Sequence, residues 1–398
     1  VATFAARLDS IPRLDAAKRQ DLAARAEREV KDTVYPAYAR LIASCETLEA
    51  VATNDDGVWK FPNGDEFYDS CLRNHTTTDL PADTIHAIGL REVGRIHDEM
   101  RTLLRARGYR AADVATAMKR MLDEPRFHYP EGDEGRAQIL ADYQRIIDDA
   151  NQRVGELFDV RPKTGVTVER IPEFKEATAP GAYYNPGSMD GSRGGVFFAN
   201  LRDPGETQRP GMRTLAYHEA IPGHHFQLTI QQELKGVPFF RRILPFTAFA
   251  EGWGLYAERV ALENGFHQDT FDSLGALQAD LYRAVRLVVD TGIHRQRWTR
   301  EQAIDYMVSN TALDSTKVVT EIERYIVAPG QACAYKVGQL KILQLRQKAM
   351  DALGPRFEIK KFHDVMLTNG SLPLSLLERV VDVWIAGELR AEKQAGRG

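Results

Sequence analysis

The sequence predicts a mainly α-helical chain with one small β-sheet set into its middle. Three observations carry this. Apolar residues recur at helical spacing over long stretches on both sides of the middle. Between positions 160 and 201, Gly, Pro, Ser and Asn punctuate short β-prone runs. No internal repeat, low-complexity tract or long polar linker interrupts the pattern. The expectation is one mostly helical unit over 1–398, with a β insert at 160–201 and helices within 213–262 that concentrate the chemistry.

The elements follow in order. From Leu14 to Leu48, Val30, Val34, Tyr38, Leu41 and Ile42 recur at helical spacing, and Pro36 is expected to kink or restart that helix. A second helix starts near Asp83, with Pro81 and Asp83 as start signals and Gly108 as a stop. A third, in "DEGRAQILADYQRIIDDANQRVGELF", places Ile139, Tyr143, Ile146 and Ile147 on one side. The middle offers the β-prone runs "GVTVERI", "GAYYN" and "GVFFANL", read as two or three strands of a small sheet, and from Ser273 onward the chain is again mostly helical.

Composition narrows the function classes. A formal charge of -4 over 398 residues advertises neither a nucleic-acid nor a membrane-surface partner. No apolar run reaches the roughly 18 residues of a membrane span. Cys45, Cys71 and Cys333 form no C-x-x-C and read as buried free thiols. The first residue is Val1, so the expectation is that an N-terminal portion is lacking. Localisation is left open: periplasmic or secreted if a signal was removed, cytoplasmic otherwise.

The stretch "LAYHEAIPGHHFQ" carries the chemistry. His218-Glu219 opens like the zinc-protease pattern H-E-x-x-H, in which two imidazoles one turn apart hold zinc and the Glu is general base. Pro222 occupies the place of the second histidine, and His224 and His225 follow Gly223. At about 100° per residue a straight helix returns His225 to the His218 face and leaves His224 about 120° away. Pro222 and Gly223 disturb that helix, and a local bulge would swing His224 into place instead. Spacing leaves the two histidines competing. Glu251, in "FAEGWGLYAERV", is the candidate third ligand, because a carboxylate among apolar residues is costly unless paired or metal-bound. Glu258, two turns on, could bond a ligating histidine. The rival reading is a buried polar cluster in which Glu219 and Glu251 hold histidinium ions.

Several motifs in order resemble the bacterial DUF885 family, read as gluzincin-type metallopeptidases: "HEAIPGHHFQ", "EGWGLYAE", "DTGIHRQRWTREQAIDYM", "ERYIVAPGQACAYKVGQLKI" and "FHDVMLTNGSLPL". "FPNGDEFYDSCLRNHTTTDLPADTIHAIGLREVGRIHDEM" also looks like the family's middle region. The resemblance implies a large helical zincin-like architecture with the sheet beside the active-site helix. It also favours the histidine directly after Pro-Gly. It thereby points to Zn2+ on His218, His224 and Glu251, with Glu219 as general base, His225 as alternate ligand and a peptide as substrate.

Donors for a developing oxyanion are sought among tyrosines and arginines. "ERYIVAPGQACAY" offers Arg324, Tyr325, Gln331 and Tyr335. His294 is a further candidate contact to substrate. In "YYNPGSMDGSRGGVFFAN", Tyr184 and Arg193 would face a cleft if "GVFFANL" were an edge strand pairing with an extended peptide. "KKFH" at 360–363 and the terminal "RAEKQAGRG" read as solvated surface. The alternatives carried forward are a helical peptide-binding protein without catalysis and a metal hydrolase of non-peptide amides.

Overall fold

The computed structural model describes residues 1–395. The chain divides into two compact units, Val1–Asp55 and Asp56 onward. In the first, α1 (Ala2–Asp9), α2 (Ala16–Glu29) and α3 (Tyr35–Glu49) follow one another, and a π turn at Val30–Val34 joins α2 to α3. The wider turn answers the expected break at Pro36. A proline ring clashes with the carbonyl four residues earlier, here that of Asp32 inside the π turn. The helical spacing is real, but Val34, Tyr38, Leu41 and Ile42 are exposed, so the pattern does not mark a core here. Cys45 is exposed too, and of the three thiols only Cys333 is buried.

The second unit holds α4 (Gly64–Thr76), α5 (Ala82–Ala106), α6 (Val114–Leu122), α7 (Gly132–Arg153) and the short α8 (Glu173–Glu176). After the sheet come α9 (Arg209–Glu219), α10 (His224–Glu233), α11 (Phe239–Ile243), α12 (Thr247–Glu263) and α13 (Thr270–His294). The unit ends with α14 (Arg300–Asn310), α15 (Ser315–Val327), α16 (Cys333–Leu353), α17 (Ile359–Leu367) and α18 (Leu374–Ala395). Side chains start several of these. Asp269 accepts from the Phe271 and Asp272 amides at α13, and Thr299 with Gln302 forms a capping box at α14. No helix among the described residues is long and apolar enough to cross a membrane.

Two apolar cores form. One gathers α7, α9, α10, α12, α16, α17 and α18, including Ile139, Tyr143, Ile146 and Ile147 of α7. The other joins α5 and α6 to α13, α14 and α15. "KKFH" therefore divides: Lys361 is exposed, but Phe362 and His363 are fully buried. His363 Nδ1 donates to the Leu157 carbonyl at 2.8 Å, and Nε2 lies 2.9 Å from Tyr256 Oη. Both nitrogens are satisfied indoors, which corrects the surface reading. In the terminal "RAEKQAGRG", Arg390 and Ala391 are exposed, and its last residues lie outside the described ones.

Of the two or three strands expected, three are present, β1 (Val166–Arg170), β2 (Ala182–Asn185) and β3 (Gly195–Ala199), in spatial order β1-β3-β2. β3 runs parallel to β1 and antiparallel to β2, with Val168 and Tyr184 both paired to Phe197. "GVFFANL" is thus the central strand. Both its edges are already hydrogen-bonded, so it cannot pair with a peptide, which corrects that expectation. Phe197 packs edge-on against Tyr143 at 4.9 Å, fixing the sheet to α7.

Candidate metal centre

"HEAIPGHH" is built as a break between two helices rather than a bulge in one. α9 ends at Glu219 and α10 begins at His224. The Ile221–Pro222 peptide in the link is cis. Gly223 is required by closeness: a Cβ there would collide with the Tyr217 and His218 carbonyls. The tight reversal brings the His218 and His224 rings to 4.7 Å between centroids, nearly perpendicular at 81°.

α12 supplies the rest, and "EGWGLYAE" can be read residue by residue. Glu251 Oε2 stands 3.6 Å from His218 Nε2 and 3.3 Å from His224 Nε2. Trp253 Nε1 donates to the Pro222 carbonyl at 2.9 Å, tying the helix break to the ligand helix. Gly254 makes room for the His218 imidazole, whose Cε1 would lie 2.6 Å from any Cβ there. Glu258 Oε1 accepts from His218 Nδ1 at 2.7 Å. That bond puts a proton on Nδ1 and turns Nε2 toward Glu251, the orientation a metal ligand would need. From α16, Gln339 Nε2 donates to the Leu255 carbonyl at 3.1 Å and steadies α12 from behind.

The donor set fits a small divalent ion. One ligand atom each from His218, His224 and Glu251 falls within 4.8 Å of the others. In tetrahedral zinc sites with bonds of about 2.0–2.1 Å, neighbouring ligand atoms stand about 3.3–3.4 Å apart. The two histidine–glutamate separations lie at or just above that edge. Two imidazoles and a carboxylate also leave a fourth position, as catalytic zinc requires.

The electrostatics agree. Burial alone would lower the His218 pKa, but bonds to Glu251 and Glu258 outweigh it and raise it to about 9. Burial works against the charge on Glu251, and the His224 and His218 rings hold its carboxyl well below the ordinary range. The two carboxylates therefore favour positive charge at the His218 imidazole. Glu219 is buried and close enough to His218 and Tyr143 to act on both. Burial first, and then the Glu219 charge, push the Tyr143 phenol up.

The other candidates are distributed. His225 turns away: its Nδ1 lies 3.0 Å from Tyr184 Oη and 3.3 Å from Thr229 Oγ1, outside the cluster. Tyr184 thus braces α10 from β2. Arg193 closes its own loop, donating to the Pro186 carbonyl at 3.0 Å. His294 is fully buried; Nδ1 accepts from the Val58 amide and Nε2 donates to the Tyr325 carbonyl, so it has nothing left for a substrate.

Tyr325, Tyr335 and Arg324 do assemble, around a residue the sequence reading missed. Arg286 donates from Nε to Tyr325 Oη at 2.8 Å and from a terminal nitrogen to Tyr282 Oη at 2.7 Å. Its guanidinium lies 4.6 Å from the Tyr335 ring centroid. Arg324 donates to Gln331 Oε1 at 2.7 Å. Tyr325 is buried and its phenol donates to Glu321, so it is a framework residue of this wall. The available signal was Arg283 and Arg286 one turn apart in the otherwise apolar "LYRAVRLVV".

With this geometry in hand, comparison with other proteins is informative. A crystal structure described as a "putative lipoprotein" from Colwellia psychrerythraea superposes with a TM-score of 0.94 at 41% identity, covering 96% of this chain and 66% of that one. A second, described as a "putative lipoprotein of unknown function" from Shewanella oneidensis, gives 0.73 at 20% identity over 93% of this chain and 68% of that one, a likeness of fold. The chain thus spans about two thirds of the length of these relatives. No curated protein matches it. The family model described as "Bacterial protein of unknown function (DUF885)" matches residues 1–381, and the chain belongs to the DUF885 family.

Proposed function

We propose that the protein is a zinc-dependent hydrolase of peptide bonds. The observation that carries this reading is the convergence of one ligand atom each from His218, His224 and Glu251 within 4.8 Å of one another, with the two histidine–glutamate separations at 3.6 and 3.3 Å and Glu219 buried alongside. His218, His224 and Glu251 would hold the ion, and Glu258 would keep His218 in its ligating tautomer. A zinc ion bound there would polarise a carbonyl and acidify water.

The chain's own residues supply the proton traffic. The Glu219 carboxylate takes a proton from the attacking water and passes it to the leaving nitrogen as the amide C–N bond breaks. The gluzincin architecture and the peptide as substrate rest on the resemblance of the ordered motifs. The description of the relatives as lipoproteins supports a place outside the cytoplasm, which fractionation of cells expressing the protein checks.

Protein purified without chelator should carry one zinc per chain. Glu219→Gln should keep that metal and lose on the order of 1000-fold or more in peptide turnover. Full activity in Glu219→Gln, or metal-free protein that hydrolyses peptides, would overturn the reading.

A further inference from the structure

The two imidazoles of the candidate centre are held differently. His218 Nδ1 bonds to Glu258 Oε1 at 2.7 Å, so its ring is oriented from behind. His224 has no such brace. Its Nε2 stands 3.3 Å from Glu251 Oε2, and its Nδ1 is buried without a hydrogen-bond partner. To ligate through Nε2, the ring must carry its one hydrogen on Nδ1, and an N–H shut away from water needs an acceptor.

Gln227 stands three positions further along α10, so the two side chains leave neighbouring points on one face of the helix. It is only 2% exposed, and its Oε1 and Nε2 are both buried without a partner. Among the described residues, no other two side chains with such stranded atoms lie one turn apart on one helix. A buried amide with both ends unengaged weakens a fold, and an apolar side chain of its size would serve packing better. The nearby groups of α10 are already engaged. His225 Nδ1 faces Tyr184 and Thr229, and the Gly223 carbonyl accepts from the Gln227 backbone amide at 3.0 Å. At this spacing the Cβ atoms are roughly 5–6 Å apart, a gap that rotation of the glutamine side chain spans.

We propose that Gln227 is a positioning residue of the metal centre. Its Oε1 accepts from His224 Nδ1 and fixes the ring with Nε2 toward the ion, the part that Glu258 plays for His218. This rests on the proposed zinc site and is independent of the bond cleaved.

The test measures zinc affinity by competition with a chromogenic chelator, and thermal unfolding of the metal-free protein. Gln227→Leu should lower zinc affinity about 10- to 100-fold. The same variant, freed of a stranded amide, should unfold at the wild-type temperature or above it when metal-free. Gln227→Glu keeps an acceptor oxygen at the same reach and should bind zinc at least as tightly as wild type. Gln231→Leu, at a second buried glutamine on α10, should leave the affinity unchanged and so controls for lost packing. Unchanged affinity in Gln227→Leu, or a loss that Gln227→Glu does not recover, overturns the proposal. So does a loss of affinity that comes with an equal loss of metal-free stability, the mark of a packing role. Wild-type protein that takes up no zinc would instead overturn the zinc site, and this role with it. Peptide turnover plays no part in the readout.

Discussion

Lys336 and the pair His218–His224 stand in the same unit, each facing buried or half-buried carboxylates, and each cluster is completed differently. The Lys336 ammonium has three protons and three acceptors: Asp280 Oδ1 at 2.5 Å, Gln339 Oε1 at 2.9 Å and Glu92 Oε2 at 3.0 Å. Arg95 pairs with the same two carboxylates from outside. Burial works against Glu92, but Arg95 and Lys336 bring it down to about 2. Around Glu251, no lysine or arginine among the described residues plays that part. Its partners are two imidazoles, the side chains that most often serve as metal ligands. The first cluster brings its own cation and is finished by folding; the second has the composition of a receptor for one.

That contrast can be broken by substitution. The largest effect is expected at the three ligands. His218→Ala, His224→Ala and Glu251→Ala should each weaken zinc binding on the order of 1000-fold, read by competition with a chromogenic chelator. Lys336→Met should instead cost about 3 kcal/mol in denaturant unfolding and leave zinc stoichiometry alone, because it strands buried carboxylates. Loss of metal in that variant would merge the two clusters into one.

Smaller effects sharpen the picture. Glu258→Gln should lower zinc affinity about 10- to 100-fold while keeping one ion per chain, since it alters the bond that orients His218. Acid should destabilise the fold through histidines that are neutral indoors. Burial depresses His363 to about 3 and His225 to about 4, whereas an unfolded histidine takes its proton near 6.5. Between those values the unfolded chain binds more protons, so stability is full above about pH 6.5 and falls below it. Each such histidine contributes at most about 1.4 kcal/mol per pH unit. Unfolding midpoints from pH 7 to 5 check the direction; a flat profile would refute it. His225→Ala should leave zinc stoichiometry unchanged, and a variant that loses the metal would return His225 to the ligand set.

The sequence revealed what is local and hid what is assembled from afar. The periodicity of α5 and α7, the short strands and the break at Pro222-Gly223 are each written within a few residues. The cluster of His218, His224 and Glu251 was within reach because the two histidines share one motif and Glu251 lies on the second helix after it. What failed depends on distant partners. The central place of β3 comes from β1 and β2 closing on both sides. His294 is held by backbone groups of Val58 and Tyr325, and His363 is hidden by Leu157 and Tyr256, though its neighbours in "KKFH" are lysines. The cluster around Arg286 needs α13, α15 and α16 to meet, which no local window displays.

Glu251 and Glu258 ride on one helix, the first placed where it would hold an ion and the second bonded to an imidazole that would share it. An axial slip of α12 would loosen both holds together. Retention of an ion would thus become a gauge of where that helix sits, sensitive to distant packing through Gln339 as well as to the ligands themselves. A faster zinc off-rate in Gln339→Leu, with every ligating atom untouched, would be its direct reading.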